Sequence, residues 1–278
     1  MAVVVVTDSS SRLPAELAKQ WGISVVPLHI LVDGSDLRDG VDQAPDDIHE
    51  RNATTAGATP TELSAAYEQA LLDSGGDGVV AVHISAALSG TYGAAQQAAD
   101  QLGSRVAVVD SKSAAMGTGF VALAAARSAA TGAELETVVG EARSAVIRGH
   151  SFIVVHRLDN LRRSGRIGRG TSWLGSALSL KPLLRIDDGK LVLAQRVRTA
   201  TKAVAAMLDQ VCEIVGDRPV RLAVHHVVNP DGADEVADAL RSRLPVFAEP
   251  IIITELGPVL ALHVGAGAVA VAMDVADD

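Results

Sequence analysis

Residues 78–84 read Gly-Val-Val-Ala-Val-His-Ile, and residues 88–92 read Leu-Ser-Gly-Thr-Tyr. The first run is apolar on both faces and bounded by glycine, which predicts a buried strand of the parallel type. The second opens onto residues 93–101, an alanine- and glutamine-rich stretch that predicts a helix. Ser89 therefore falls at a strand-to-helix turn. There it can cap the helix, and it lies beside unpaired backbone N–H groups at the positive end of the helix dipole. Such a turn can also hold a phosphate or a carboxylate. On the turn alone, a plain N-cap is the simpler reading.

Upstream, residues 2–6 (AVVVV) repeat the pattern and end in a second hydroxyl-rich turn, Thr7-Asp8-Ser9-Ser10-Ser11. A helix over 14–20 and a strand over 23–32 follow. Asp33-Gly34 marks a tight turn into residues 37–41, the signature of a hairpin. Residues 46–51 predict a short helix, 52–60 (NATTAGATP) a loop of small residues, and 61–72 an amphipathic helix. Downstream, residues 106–109 predict a strand ending at Asp110-Ser111, and 116–128 and 135–148 predict helices. Strand and helix alternate, which implies an α/β fold with a parallel, doubly wound sheet and helices on both faces. Ligands of such sheets bind beyond the carboxyl ends of the strands. Three such ends carry hydroxyls, at Asp8-Ser9, at residues 85–91 and at Asp110-Ser111, and their convergence favours the binding role for Ser89.

The chain then changes character. Residues 1–150 are assigned to an N-terminal α/β domain and 151–278 to a C-terminal mixed α/β sheet domain. The second begins with a strand over 152–155 and a short basic helix over 156–164. Arg157, Arg162, Arg163, Arg166 and Arg169 make this the one dense positive patch. Two readings stand side by side for it: a solvated helix face, or a docking site for an acidic partner or phosphate. A helix over 173–180, a hairpin of 183–186 with 191–197, and a helix over 200–215 follow. Residues 219–226, 233–244 and 247–254 predict strand, helix, strand. Glycine turns at 255–258 and 264–267 flank His263, and a last strand spans 269–273.

Composition narrows the function. The 278 residues are 48% apolar but only 3% aromatic, so the cores are built of Val, Ala, Leu and Ile. Against 24 Lys and Arg stand 33 Asp and Glu, a net charge of −9, which argues against a general nucleic-acid or anionic-membrane binder. Cys212 is the only cysteine, so an intramolecular disulfide and a cysteine metal cluster are excluded. Its neighbours Met207, Val211 and Val215 mark it as a small core residue. Residues 2–6 are too short for a secretory leader and no run reaches the ~20 residues of a membrane span, so a cytoplasmic protein is expected. Phosphate loops of the G-x-x-x-x-G-K-[ST] and G-x-G-x-x-G kinds are absent, as are G-x-S-x-G and H-E-x-x-H. His83 reads as a core histidine. His225 and His226 point to opposite faces of one strand and cannot share a metal. His263, between two glycine turns, is suited to hydrogen-bond a carboxylate and to be favoured in its charged form beside one.

In order along the chain, these motifs resemble the DegV family, the fatty-acid-binding subunit of the bacterial two-component fatty acid kinase. The resemblance rests on Asp8-Ser9, the threonine loop at 55–59, S-x-x-L-S-G-T-Y at 85–92, Asp110-Ser111 with Gly117 and Gly119, and L-x-x-L-x-x-x-G-R-I at 158–167. L-x-x-K-P-x-L at 178–184, E-x-G-P at 255–258 and H-x-G-x-G at 263–267 complete it. It implies one long-chain fatty acid, such as palmitate, stearate or oleate, in a tunnel between the two domains. Thr55, Ser89, Gly90 and His263 would hold its carboxylate. An ATP-dependent kinase subunit would convert that carboxylate to an acyl phosphate, with Arg163, Arg166 and Arg169 as its contacts. No cofactor, no metal, no nucleic acid and no catalysis by the chain alone are implied, and transient membrane contact is compatible. At ~0.8 kcal/mol per methylene, a ~14-methylene tail contributes about 11 kcal/mol gross, so the tail dominates affinity and the head sets orientation. The chain departs from the family at Ala56-Gly57-Ala58, where Ser-Gln-Pro is usual, and at Ala266. The alternative function is a stand-alone enzyme on a small acyl or phosphorylated substrate with Ser89 as nucleophile.

Overall fold

Residues 2–167 and 181–276 are described by the computed structural model. The first sheet has the order β2-β1-β6-β7 and is parallel throughout, formed by β1 (Val4–Asp8), β2 (Ser24–Val26), β6 (Val79–His83) and β7 (Val106–Asp110). Alternate side chains leave opposite faces of such a strand. Val5, Val80 and Val82 pack with α4 (Met116–Ala130) and α5 (Leu135–Arg148), whereas Val6, Val79 and Ala81 pack with α2 (Pro60–Asp73) and α3 (Thr91–Leu102). The doubly wound sheet expected from the sequence is thus present, with helices on both faces. The short helix α1 (Ala15–Gln20) follows a single 3₁₀ turn at Ser9–Ser11.

Between β2 and α2 the chain departs from expectation. Residues 23–32 do not form one strand. Pro27 has no N–H to donate, and the run breaks there. β2 stays in the parallel sheet, and β3 (His29–Val32) joins a separate antiparallel sheet of order β4-β3-β5, with β4 (Ser35–Arg38) and β5 (Thr54–Ala56). The Asp33-Gly34 hairpin is as read, with Val32 facing Ser35 across the turn and φ of 51° and 79° at its two residues, a type I′ geometry. The helix expected at 46–51 is one 3₁₀ turn, Ile48–Glu50. The stretch 52–60, expected as loop throughout, carries β5.

The second sheet has the order β10-β9-β8-β13-β11-β12, formed by β8 (Gly149–Val154), β9 (Lys181–Asp187), β10 (Lys190–Val197), β11 (Val220–His226), β12 (Ile252–Glu255) and β13 (Val269–Val275). Its β11–β12 pair is parallel and the others are antiparallel, which makes it the mixed sheet expected of the C-terminal half. α7 (Ala200–Val215) and α8 (Pro230–Arg243) cover one face, against Phe152, Val154, Val271 and Met273. Cys212 is free and packs at the edge of that core. The other face turns Ile153 and Ala270 toward α6 (Asp159–Arg163) and α9 (Gly257–Val264). Residues 247–254 form a strand only over the short β12, with Phe247 making a single bridge to Val220. The basic helix of 156–164 shrinks to the five residues of α6, and the helix read at 173–180 lies outside the described residues. α4, apolar nearly all round, joins the two halves. Its cluster includes Ala223 of β11 and Ala272 of β13 as well as the first sheet.

Candidate functional site

The carboxyl end of β6 meets a buried polar knot before it meets any cavity. His83 Nδ1 donates to Asp8 Oδ2 at 2.9 Å, and Tyr67 O–H donates to His83 Nε2 at 2.7 Å. Asp8 also accepts from Ile84 N at 3.0 Å and from Ser10. His83 is the core histidine expected. Asp8 and Ser9, expected among three converging hydroxyl-bearing strand ends, are spent internally instead: Ser9 Oγ donates to Asp39 at 2.7 Å. Burial pushes the Tyr67 phenol far up, so it remains the donor.

Beyond the knot the chain turns through Ser85 to Ser89 and enters α3 at Thr91. Ser89 is not itself the N-cap; Gly90 occupies that place and contributes no side chain. Ser89 Oγ still satisfies one orphan donor of the helix, accepting from Thr91 N at 3.2 Å, and it lies 2.8 Å from Thr91 Oγ1. Gly57 packs against this turn. A Cβ there would stand 2.6 Å from Thr91 Oγ1 and 3.3 Å from Thr91 N. The departure at Ala56-Gly57-Ala58 is thus a close approach, with Ala58 buried in the core.

Thr55 lies on β5 opposite Ile30, and Thr55 Oγ1 meets His263 Nε2 at 2.9 Å across 208 residues of sequence. His263, read as lying between two glycine turns, sits in the last turn of α9. Pro258 is tolerated at the start of that helix because its missing N–H would be unpaired there anyway. Nδ1 of His263 is buried and has no hydrogen-bond partner among the described residues. Burial, aided by the nearby Arg166 charge, lowers the His263 pKa to about 4, so the ring is neutral near pH 7. Arg166 donates from Nε to Leu88 O at 3.1 Å and from Nη1 to Ser164 O at 2.6 Å.

Thr55, Ser89, Gly90, Arg166 and His263 all line one cavity of about 160 Å³ between the two sheets. Its other walls are largely apolar: Leu28, Ile84 and Leu88 from the first half, and Ile153, Leu161, Leu191, Val259 and Leu260 from the second. Outside it lies a polar basin of about 330 Å³, lined by His49, Arg51, Asn52, Thr54, Asn160 and Arg163. Thr55, Arg166 and His263 border both spaces, so they form the partition between an apolar interior and a cationic exterior.

The family model described as "Uncharacterised protein, DegV family" matches residues 2–275. The chain belongs to the DegV family. A DegV domain-containing protein of Mycobacterium tuberculosis is 67% identical over 275 residues, covering 99% of this chain and 98% of that one. A solved structure from Thermus thermophilus, described as showing fatty acid binding of a DegV family protein, superposes with a TM-score of 0.92 at 32% identity, covering 99% of this chain and 100% of that one. DegV of Bacillus subtilis, described as a fatty acid binding protein, gives 0.89 at 28% identity over 99% of this chain and 100% of that one.

Of the residues singled out in this DegV sequence, Thr55, Ser89, Gly90 and His263 come together at one cavity. Arg166, expected outside as a partner contact, has its guanidinium half-buried in the cavity wall. Arg163, which bonds Asn160 Oδ1 at 2.8 Å, lines the basin, and Arg169 lies outside the described residues. His225 also reaches the cavity, though both its ring nitrogens are engaged, by Met116 N at 3.2 Å and Thr254 Oγ1 at 3.1 Å. His226 accepts from Asn229 N at 3.3 Å. Among the described residues no cluster of three or more His, Cys, Asp or Glu could hold a metal ion, and no helix is long and apolar enough to cross a membrane.

Proposed function

We propose that this DegV chain binds one long-chain fatty acid in the cavity between its two larger sheets and presents the carboxylate to a separate ATP-dependent kinase for acyl phosphate formation. The observation that carries the reading is the partition. A cavity with largely apolar walls ends at the Thr55–His263 pair, and a cationic basin lies on its other side. In this reading the carboxylate accepts from the hydroxyls of Thr55 and Ser89 and from the backbone N–H of Gly90, and the His263 ring, protonated beside it, donates from Nε2 to Thr55 Oγ1 and from Nδ1 to the carboxylate. Binding a carboxylate raises the pKa of the adjacent imidazole. The kinase approaches from the basin, where Arg163 and Arg166 complement an acidic surface. The boundary between residues 150 and 151 then separates the two lobes that clasp the ligand, the chain works in the cytoplasm, and it does no chemistry alone. The fatty acid binding described for the Thermus and Bacillus relatives supports the ligand class.

The nucleophile reading of Ser89 is weaker. An activated serine needs a base within hydrogen-bond reach, and the partners of Ser89 Oγ are Thr91 atoms, whereas His263 is committed to Thr55. The test is to denature the purified protein, extract it with organic solvent and identify the extract by mass spectrometry. A fatty acid near one per chain, reduced in Thr55→Ala and His263→Ala, is expected. An empty extract together with no uptake of added oleate would overturn the proposal.

A further inference from the structure

The apolar cavity is not apolar throughout. Strands β8 and β13 run side by side along its wall, with Val154 opposite Val269, Ile153 opposite Ala270 and Ser151 opposite Ala272. At the Val154–Val269 end, β8 leads on to α6 and β13 follows α9. Ser151 lies three residues farther along, about 10 Å at ~3.3 Å per residue, at the end away from His263. It shares the face of Ile153, so the alternation that seats Phe152 and Val154 in the other core turns a hydroxyl toward the cavity.

Ser151 Oγ meets Ser113 Oγ at 3.2 Å, across from the turn that precedes α4. Two hydroxyls carry two protons, and their mutual bond uses one. No other hydrogen bond to either side-chain oxygen forms among the described residues, so one donor and several lone pairs remain open. The surroundings are shaped to seat the pair. Gly117, in the first turn of α4, faces it directly: a Cβ there would clash with Ser113 Oγ and stand 2.9 Å from Ser151 Oγ. Glycine within a helix is unfavourable relative to alanine, so the fold accepts a weaker helix to leave this room. A small cleft of about 20 Å³ opens behind the pair, lined by Ser111, Lys112, Ser113 and Gly117, and it shares Ser151 and Ile186 with the main cavity. His225 differs, because both its nitrogens are already bonded.

We propose that Ser151 and Ser113 form a second polar subsite, at the tail end of the cavity, that takes an oxygen carried on the acyl chain, so that the ligand class includes hydroxy fatty acids. This rests on the fatty-acid reading above. A chain hydroxyl arriving at the pair receives the spare proton or donates to a free lone pair. The same hydroxyl buried anywhere else along an apolar wall loses its water without compensation. The subsite therefore selects for position as well as for oxygen.

The test is displacement of a fluorescent acyl probe from delipidated protein by stearate and by three hydroxystearates, with the hydroxyl next to the carboxylate, near the chain centre and at the ω carbon. The central or the ω isomer is expected to bind about fivefold or more tightly than stearate, as one added hydrogen bond provides, and the isomer substituted beside the carboxylate is not. In Ser151→Ala, and independently in Ser113→Ala, the ratio of the two affinities within the same variant falls to about one. Stearate binding with no hydroxystearate preferred, or a preference that survives both substitutions, overturns the subsite. Failure of stearate itself to bind overturns the fatty-acid reading and the subsite with it.

Discussion

His263 shows how burial decides the state of a single residue. Its sequence neighbours predict a histidine ready to charge, but its position in the cavity wall beside Arg166 lowers its pKa from 6.5 to about 4. His225, wholly buried, is lowered to about 3 for the same chief reason. The consequence for stability has a definite sign. Between pH 6.5 and about 4 the unfolded chain binds a proton at His263 that the folded chain refuses, so the free energy of unfolding falls as pH falls. The urea midpoint of ligand-free protein is expected to drop over this window, and to drop less in His263→Gln. A bound carboxylate opposes the shift, so the midpoint of loaded protein should depend less steeply on pH. Equal slopes for wild type and variant would show that His263 does not titrate in this way.

Among the elements, α2 and the small antiparallel sheet explain how Thr55 is held. Thr59 and Glu62 form a capping box at the start of α2: Glu62 takes Thr59 N at 2.8 Å and returns its own N–H to Thr59 Oγ1 at 3.3 Å. Glu62 also meets His29 Nε2 at 3.1 Å, and the other ring nitrogen of His29 meets Asp36 at 2.8 Å. Burial alone would lower the His29 pKa, but the bonds to Asp36 and Glu62 outweigh it and raise it. One histidine of β3 thus ties the β3–β4 hairpin to the start of the helix that follows β5. Loss of the cap in Thr59→Ala is expected to cost about 1 kcal/mol in chemical denaturation. It should also weaken acyl binding, because Thr59 follows the Gly57 contact with Thr91 that fixes the loop. An unchanged affinity in that variant would separate the cap from the site.

At the scale of the molecule, two sheets share one helix and one chain of charges. α4 fills the space between them, and Arg127 on it bonds Glu249 at 2.6 Å. Glu249 meets Arg221 at 3.1 Å, Arg221 meets Asp274 at 3.2 Å, and Asp274 meets Arg148 at 3.1 Å. Asp274 is 2% exposed and sits between two arginines from β11 and α5, so it joins the halves. Removing a buried carboxylate strands its partners. Asp274→Ala is expected to cost about 3 kcal/mol, read from the guanidinium midpoint, whereas loss of an exposed pair such as Arg241–Asp238 changes little.

Local chemistry in the sequence determined much of this DegV chain. Apolar runs marked β1, β6 and β13, helical spacing marked α5 and α7 to their ends, and Asp33-Gly34 announced a hairpin. These signals are legible because period and turn geometry depend on near neighbours. The hydroxyl turn at Ser89 was legible for the same reason, and the resemblance in motif order brought Thr55 and His263 into view. Tertiary structure alone decided the rest. Pro27 divided one apolar run between two sheets, β5 formed because β3 offered an edge, and α9 formed where glycine and proline suggested only a turn. Arg166 turned inward although its own stretch of chain reads as surface. Thr55 met His263, and Ser113 met Ser151, because packing two sheets around α4 brings distant residues together, and no local pattern records a contact made across such a distance.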